Sequence, residues 1–382
     1  MHFYEVDIAK AMKHRKPFVL NPTNYILTTD DELYQLPELP AGVPYITQEQ
    51  MIEQLYKQSV DEIEQFISSE YNKDVYIMAV ATSEYYDFQL YINTEERYKR
   101  SQEKYFTEKK DILELNYNKY NLGNFSFDNQ LHNDEILDIL TGVHMIEDKV
   151  SDFEVDELSI PLYEGDFNNI LIIINQSLIK FGHYIAVQEV VKRLKDTGIE
   201  AKINKTSDFI FFGAIGYSGT DRSIMMRQTV EREVLYKALP ELHEGDFKFK
   251  QLKMDLQQRS FHEQVNYWLQ EIDNNENSIG ESIFEHYYKT EYHAIEALAE
   301  NINDISNDLL PAWKKSVTEY VESDEQSTAL FYLSYVLSEF EEQKQKYLQE
   351  IKEHLKMIEQ AEQQQEESQG NLKMIRNILM IE

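Results

Sequence analysis

The sequence predicts an α+β fold class: a mixed α/β domain over residues 45–245 behind a proline-rich arm (1–44), followed by an all-α helical, coiled-coil-like domain (246–382). Three observations carry this. Five of the eight prolines, Pro17, Pro22, Pro37, Pro40 and Pro44, fall in the first 44 residues, which rules out a long helix there. Between about residues 47 and 212, apolar residues switch repeatedly between helical and strand periods. Beyond Gly245 only Gly280, Pro311 and Gly370 interrupt a chain of helix formers.

In order along the chain, the arm is expected to carry only short strands. From Thr47, apolar residues Met51, Ile52, Leu55, Val60, Ile63, Phe66 and Ile67 recur at helical spacing, and Thr47 with Gln50 has capping-box form, so a first helix should run to about Ser69. The runs Val75–Ala81 and Asp87–Ile92, the second alternating, predict a hairpin. Thr94 followed by Glu95 and Glu96 predicts the next helix start, with acids at the positive end of the dipole. Ile170–Ile174, an amphipathic stretch from Ile185 to Leu194 and Asp208–Phe212 read as strand, crossing helix and strand. In the last third, Leu333, Leu337, Phe340, Lys344, Tyr347, Ile351, His354, Ile358 and Ala361 keep a four-three spacing, the seam of a coiled coil or long helical hairpin, weakened by Lys344 and His354. The tail Leu372, Met374, Ile375, Ile378, Leu379, Met380 and Ile381 needs a surface to bury against, and its own helices are expected to supply it ahead of a partner subunit.

Composition bounds function. The chain carries 69 Asp and Glu against 37 Lys and Arg, a formal net charge of −32 over 382 residues, which repels phosphate backbones and anionic lipid. With 26 Tyr and 19 Phe it has the apolar area to fold, so the acidity belongs to the surface of a folded body. Its lack of cysteine excludes disulfides, thiol nucleophiles and thiolate metal sites. An acidic N-terminal stretch and the lack of any run of spanning length predict a cytoplasmic protein without a membrane segment.

Motifs with chemistry are few. Gly213, Gly216, Gly219, Thr220 and Arg222 form a Gly-rich stretch between a strand and a helical pattern from Ser223, where amides could cradle a phosphate, with Arg222 or Arg227 pairing it. It lacks the Gly-Lys-Ser/Thr of a P-loop, and its three-and-three glycine spacing departs from the dinucleotide fingerprint, so a strand-to-helix loop is the competing reading. His286 and His293 lie two helical turns apart, too far for one metal, and no His-Glu-x-x-His occurs, so no metal or other cofactor is expected. Ser218 has no nucleophile elbow, and the many carboxylates single out no acid–base pair. The basic cluster Lys10, Lys13, His14, Arg15 and Lys16 reads as a solvated arm.

The stretches Asp74–Val80, Leu90–Glu96 with its Asn-Thr-Glu-Glu element at 93–96, Leu115–Asn118 and Asn124–Phe127 resemble a bacterial family known as domain of unknown function 4303. The resemblance covers about residues 45–240, and Asn124-Phe125 stands where the family usually carries Asp-Trp. It implies an α/β domain without established catalysis, an immunity-type binding module found near toxin and immunity loci. Independently, an acidic, aromatic-rich chain suits a basic protein partner, steered by charge and anchored by rings. The expected function is therefore a non-enzymatic protein-binding module, toxin-neutralising or active in phage conflict. The alternatives are a nucleotide-responsive protein or enzyme using the Gly213–Arg222 loop, and a structural homo-oligomer built through the C-terminal helices.

Overall fold

The computed structural model describes residues 4–14, 23–82, 87–105, 119–120, 127–131, 133–152, 160–179, 181–215, 223–277, 291–322, 328–363 and 371–381. The chain separates into two compact units, one of Asp7–His243 and one of Glu244–Glu382 together with Met1–Val6. Helices and two small sheets make its character α+β.

The first unit contains α1 (Tyr4–His14) from Asp7 onward, β1 (Asn24–Thr28), β2 (Leu33–Leu36), α2 (Gln48–Ser68), β3 (Val75–Thr82), β4 (Phe88–Thr94), α3 (Glu95–Tyr105), β5 (Phe127–Gln130), α4 (Asp134–Asp152), β6 (Ile170–Asn175), α5 (Gly182–Asp196), β7 (Lys205–Ile215), α6 (Ser223–Thr229) and α7 (Arg232–Ala238). The capping box forms as its residues dictate: Gln50 N donates to Thr47 Oγ1 (3.2 Å) and Thr47 N to Gln50 Oε1 (2.8 Å). The expected hairpin is β3–β4, antiparallel with Met78 opposite Ile92 and Val80 opposite Leu90. At the next helix start, Arg97 N donates to Thr94 Oγ1 at 3.4 Å.

Two features depart from the sequence reading. The N-terminal 44 residues hold a helix, α1, that proline content obscured, and their short strands are integral, since β1 is the middle strand of a three-stranded sheet β2-β1-β6. The proline-free stretch Asn24–Thr28 makes this possible, with Tyr25, Ile26 and Leu27 fully enclosed. In addition, β6, α5 and β7 do not build one strand–helix–strand unit. β6 pairs antiparallel with β1, whereas β7 pairs parallel with β3 in a four-stranded sheet β5-β4-β3-β7. The apolar period identifies such strands but says nothing of which neighbour they choose.

Helix α5 is the hub of this unit. It packs along α2 and across β3 and β7, with Tyr184, Ala186, Val187, Val190, Val191 and Leu194 shut off from solvent. Its first residue must be glycine, because a Cβ on Gly182 would stand 2.1 Å from Ser177 O.

The second unit is helical throughout its described residues. α8 (Pro240–Leu256) leads into it, followed by α9 (Phe261–Asn277), α10 (Glu291–Ala299), α11 (Leu309–Glu322), α12 (Thr328–Ser338), α13 (Glu341–Lys346), α14 (Leu348–Glu362) and α15 (Asn371–Leu379). The four-three seam does not form a coiled coil. Its positions fall on three helices separated at Phe340 and Tyr347, and all eight residues Leu330–Leu337 of α12 are buried. A helix buried on every face is the centre of a bundle, whereas a coiled-coil strand keeps a solvated side. Trp313 of α11 enters that centre and donates through Nε1 to Ser334 Oγ at 2.9 Å. The apolar tail folds onto these helices as α15, burying Leu372, Ile375, Ile378, Leu379 and Ile381.

Candidate functional site

The face of α2 carrying Glu62, Gln65, Phe66 and Ser69, spaced three and four apart, lies over the outer half of the four-stranded sheet. On that sheet Leu90 and Ile92 of β4 sit opposite Asn129 and Phe127 of β5. Together with Tyr71, these residues line an open cleft of about 180 Å³. Phe127 is its focus: Phe66 meets it edge-on at 5.2 Å, Tyr71 lies at 5.2 Å, and the Arg97 guanidinium stands 3.7 Å from its centroid. Arg97 also covers Tyr71 at 4.5 Å, and Tyr71 remains 45% exposed. At the rim, Glu62 accepts from Asn129 Nδ2 (2.7 Å) and Gln58 Nε2 (3.0 Å). The aromatic walls already hold a cation, the Arg97 guanidinium of this chain, and a cleft of this size admits one further side chain. Its lining holds no nucleophile paired with a base.

The opposite face of the sheet carries a polar knot. A register shift between Val75 and Ile77 re-aims Tyr76, whose hydroxyl donates to Lys119 O (2.8 Å) and accepts from Asn93 Nδ2 (3.0 Å). Lys119 Nζ reaches Glu95 (2.8 Å) and Asp208 (3.2 Å) and lies 4.6 Å from the Tyr76 ring centroid. Burial pushes the Tyr76 and Tyr120 phenols above their ordinary value, so both stay protonated. Burial also acts to raise the Asp208 carboxyl, but the hydrogen bond from Thr206 and the Lys119 ammonium outweigh it and leave it below the usual range. With its ammonium engaged by two carboxylates and a ring, Lys119 fastens β7 to α3.

Of the Gly-rich stretch, Gly213 lies inside β7 opposite Val80, and its N–H, at the free edge of the sheet, donates to Thr229 Oγ1 of α6 at 3.0 Å. A Cβ there would stand 2.7 Å from Met225 Sδ and 3.1 Å from Val187 Cγ1, so this glycine serves close packing. Gly216, Ser218, Gly219, Thr220 and Arg222 lie outside the described residues. Arg227 donates to Ser223 Oγ within its own helix at 3.1 Å. His286 is outside the described residues, and His293 is buried against Phe249. Lys10 is buried, while Lys13 and His14 are exposed; Arg15 and Lys16 lie outside the described residues. Among the described residues, no three His, Asp or Glu side chains gather as a metal set, and no helix is long and apolar enough to cross a membrane.

The sequence reading did not bring the cleft residues together as a site, although Phe66 and Ser69 belong to the predicted helix, Leu90 and Ile92 to the predicted hairpin, and Phe127 to a stretch on which it based a family resemblance. Their only signal is aromatic density after α2, which does not reveal that β5 returns to it. Comparison with protein-family models, with curated proteins and with solved structures gives no match. Of the stretches on which the sequence reading based a family resemblance, Asp74–Val80 enters β3 and Leu90–Glu96 spans the end of β4 and the start of α3, while 115–118 and 124–126 lie outside the described residues.

Proposed function

We propose that this chain is a non-enzymatic binding module for a basic protein, acting in toxin immunity or phage conflict, with the Phe66–Tyr71–Phe127 cleft receiving one side chain of that partner beside Glu62. The observation that carries this reading is the pairing of aromatic walls with the Glu62 carboxylate on a chain of net charge −32. Long-range attraction would speed the encounter, and the rings would anchor the inserted side chain. The family resemblance points the same way.

The test is affinity purification of tagged chain from its own host, repeated with Phe127→Ala and Glu62→Gln. The expected result is a basic partner in fixed ratio, lost with Phe127→Ala, weakened by Glu62→Gln and weakened about tenfold or more between low and high salt. A partner retained equally by both variants would reject the cleft. A partner-free eluate at low and physiological salt would reject the binding role.

A further inference from the structure

The cleft on the four-stranded sheet is walled by rings that already carry one cation. Phe66 meets Phe127 edge-on at an interplanar angle of 80° and Tyr71 meets it tilted at 55°, both with centroids 5.2 Å apart, an arrangement that rings favour over face-to-face stacking. The Arg97 guanidinium lies over both Phe127 (3.7 Å) and Tyr71 (4.5 Å), so one face of each ring is spent on a charge of this chain. The floor is apolar, with Leu90 and Ile92 each 2% exposed and set in place by the pairing of β4 with β5.

The polar groups of the lining differ in what they have left to offer. Ser69 Oγ donates to Phe66 O at 2.7 Å and accepts from Tyr71 N at 3.3 Å, bonds that fix the turn carrying Tyr71. Glu62 retains capacity. Its Oε1 accepts from Gln58 Nε2 at 3.0 Å and its Oε2 from Asn129 Nδ2 at 2.7 Å, one bond to each oxygen, whereas a carboxylate offers about four lone-pair sites. The same two amides hold the carboxylate in position between α2 and β5, so the acceptor is preformed.

We propose that the side chain this cleft receives is a neutral aromatic with a hydrogen-bond donor, a tyrosine or tryptophan of the protein partner. The assignment rests on the binding role proposed above and names the anchor within it. Charge selects neutrality: an entering lysine or arginine meets the Arg97 guanidinium across the same rings, and an entering carboxylate meets Glu62. Shape selects a ring, because a single planar side chain suits an open space of about 180 Å³, extends the edge-on cluster and covers Tyr71, which is 45% exposed. Chemistry selects the donor, since a phenol O–H or indole N–H that reaches Glu62 makes a charge-assisted bond. A basic partner and an aromatic anchor are compatible, because charge at the rim steers the encounter while a ring at the centre holds it.

The test titrates the wild-type chain with the N-acetyl amides of tryptophan, tyrosine, leucine and arginine, read by saturation-transfer NMR. Saturable binding of the two aromatic amides, about tenfold or more tighter than the arginine amide, is expected. Glu62→Gln should weaken the aromatic amides about tenfold, and Arg97→Met, which removes the competing cation, should strengthen the arginine amide by a similar factor. Arginine or leucine amide bound as tightly as the aromatic ones, or no saturable binding of any, overturns the assignment. Aromatic binding unchanged by Glu62→Gln lies elsewhere on the chain and overturns it equally. The ranking is read on the wild-type chain, so no variant has to fold for the assignment to fail. A partner captured in fixed ratio without an aromatic preference rejects the anchor alone, and an aromatic preference without a captured partner rejects the binding role alone.

Discussion

The sheet-bearing and helical units face the same problem, ionisable side chains under cover, and solve it in opposite ways. In the helical unit Lys344 and Glu362 are buried and each meets a backbone group at a helix end. In the sheet-bearing unit His183, 2% exposed in the first turn of α5, is held neutral, its pKa pushed down to about 3 by burial. The lesson is that burial alone does not say what an ionisable group contributes. A buried charge with a helix terminus to cap is a fastening, whereas a buried base kept neutral is a liability that appears only on acidification.

The largest effect that sharpens this contrast is in the helical centre. Trp313→Ala should cost about 4 kcal/mol, from lost area and the cavity left beside α12. Trp313→Phe keeps most of the ring but abandons the bond to Ser334 Oγ, so it should cost about 2 kcal/mol, and denaturant melts rank the two. Equal losses would mean that the hydrogen bond, and not packing, holds the bundle centre.

Acid comes next. His183 is neutral when folded, while the unfolded chain takes up a proton below its ordinary value of 6.5, so between about pH 6.5 and 3 the unfolded state binds more protons. Stability therefore rises with pH across that window and is lost as pH falls, by close to 3 kcal/mol at about pH 4.5. The many carboxylates titrate in the same range, so the measurement is the difference between wild type and His183→Phe. The variant should lose less stability on acidification, and parallel curves would show that His183 is protonated in the folded chain.

The counterpart in the helical unit is Lys344→Met, which keeps the apolar stem and removes the ammonium. It should cost about 2 kcal/mol, the scale of a hydrogen bond to a charged group, and loosen α15 before the rest of the unit. Glu341, largely exposed, is left solvated by the change and adds little to the loss. Uniform loosening measured by hydrogen exchange would argue against a local fastening.

What could be read from the sequence divides along the same line. Local signals held: the Thr47–Gln50 box, the β3–β4 hairpin and the α3 start depend on neighbours in sequence, and the structure contains each. Long-range choices were hidden. Nothing in Ile170–Ile174 announces that β6 joins β1, and nothing in Lys344 announces a carbonyl 35 residues later that turns an apparent flaw in a seam into a cap. The aromatic cleft was hidden likewise, because its walls come from α2, Tyr71, β4 and β5 and converge only through strand pairing.

The smallest effect compares backbone strain in the two units. Phe181 and Met380 both hold left-handed backbone, at φ 62° and 54°, a conformation that costs a residue with a Cβ roughly 1 kcal/mol. Met380 occupies the position of a Schellman stop where glycine is the usual residue. Met380→Gly should therefore gain up to about 1 kcal/mol, reduced by whatever its half-buried side chain contributes. Met380→Ala, which discards the side chain and keeps the strain, should be less stable than wild type. At Phe181, by contrast, the ring stacks on Tyr184 at 6.4 Å at the threshold of α5, and glycine there relieves the same strain while losing the ring. Phe181→Gly should be a net loss. If thermal melts showed both glycine variants gaining equally, strain would dominate in both units and the ring would contribute nothing to seating α5.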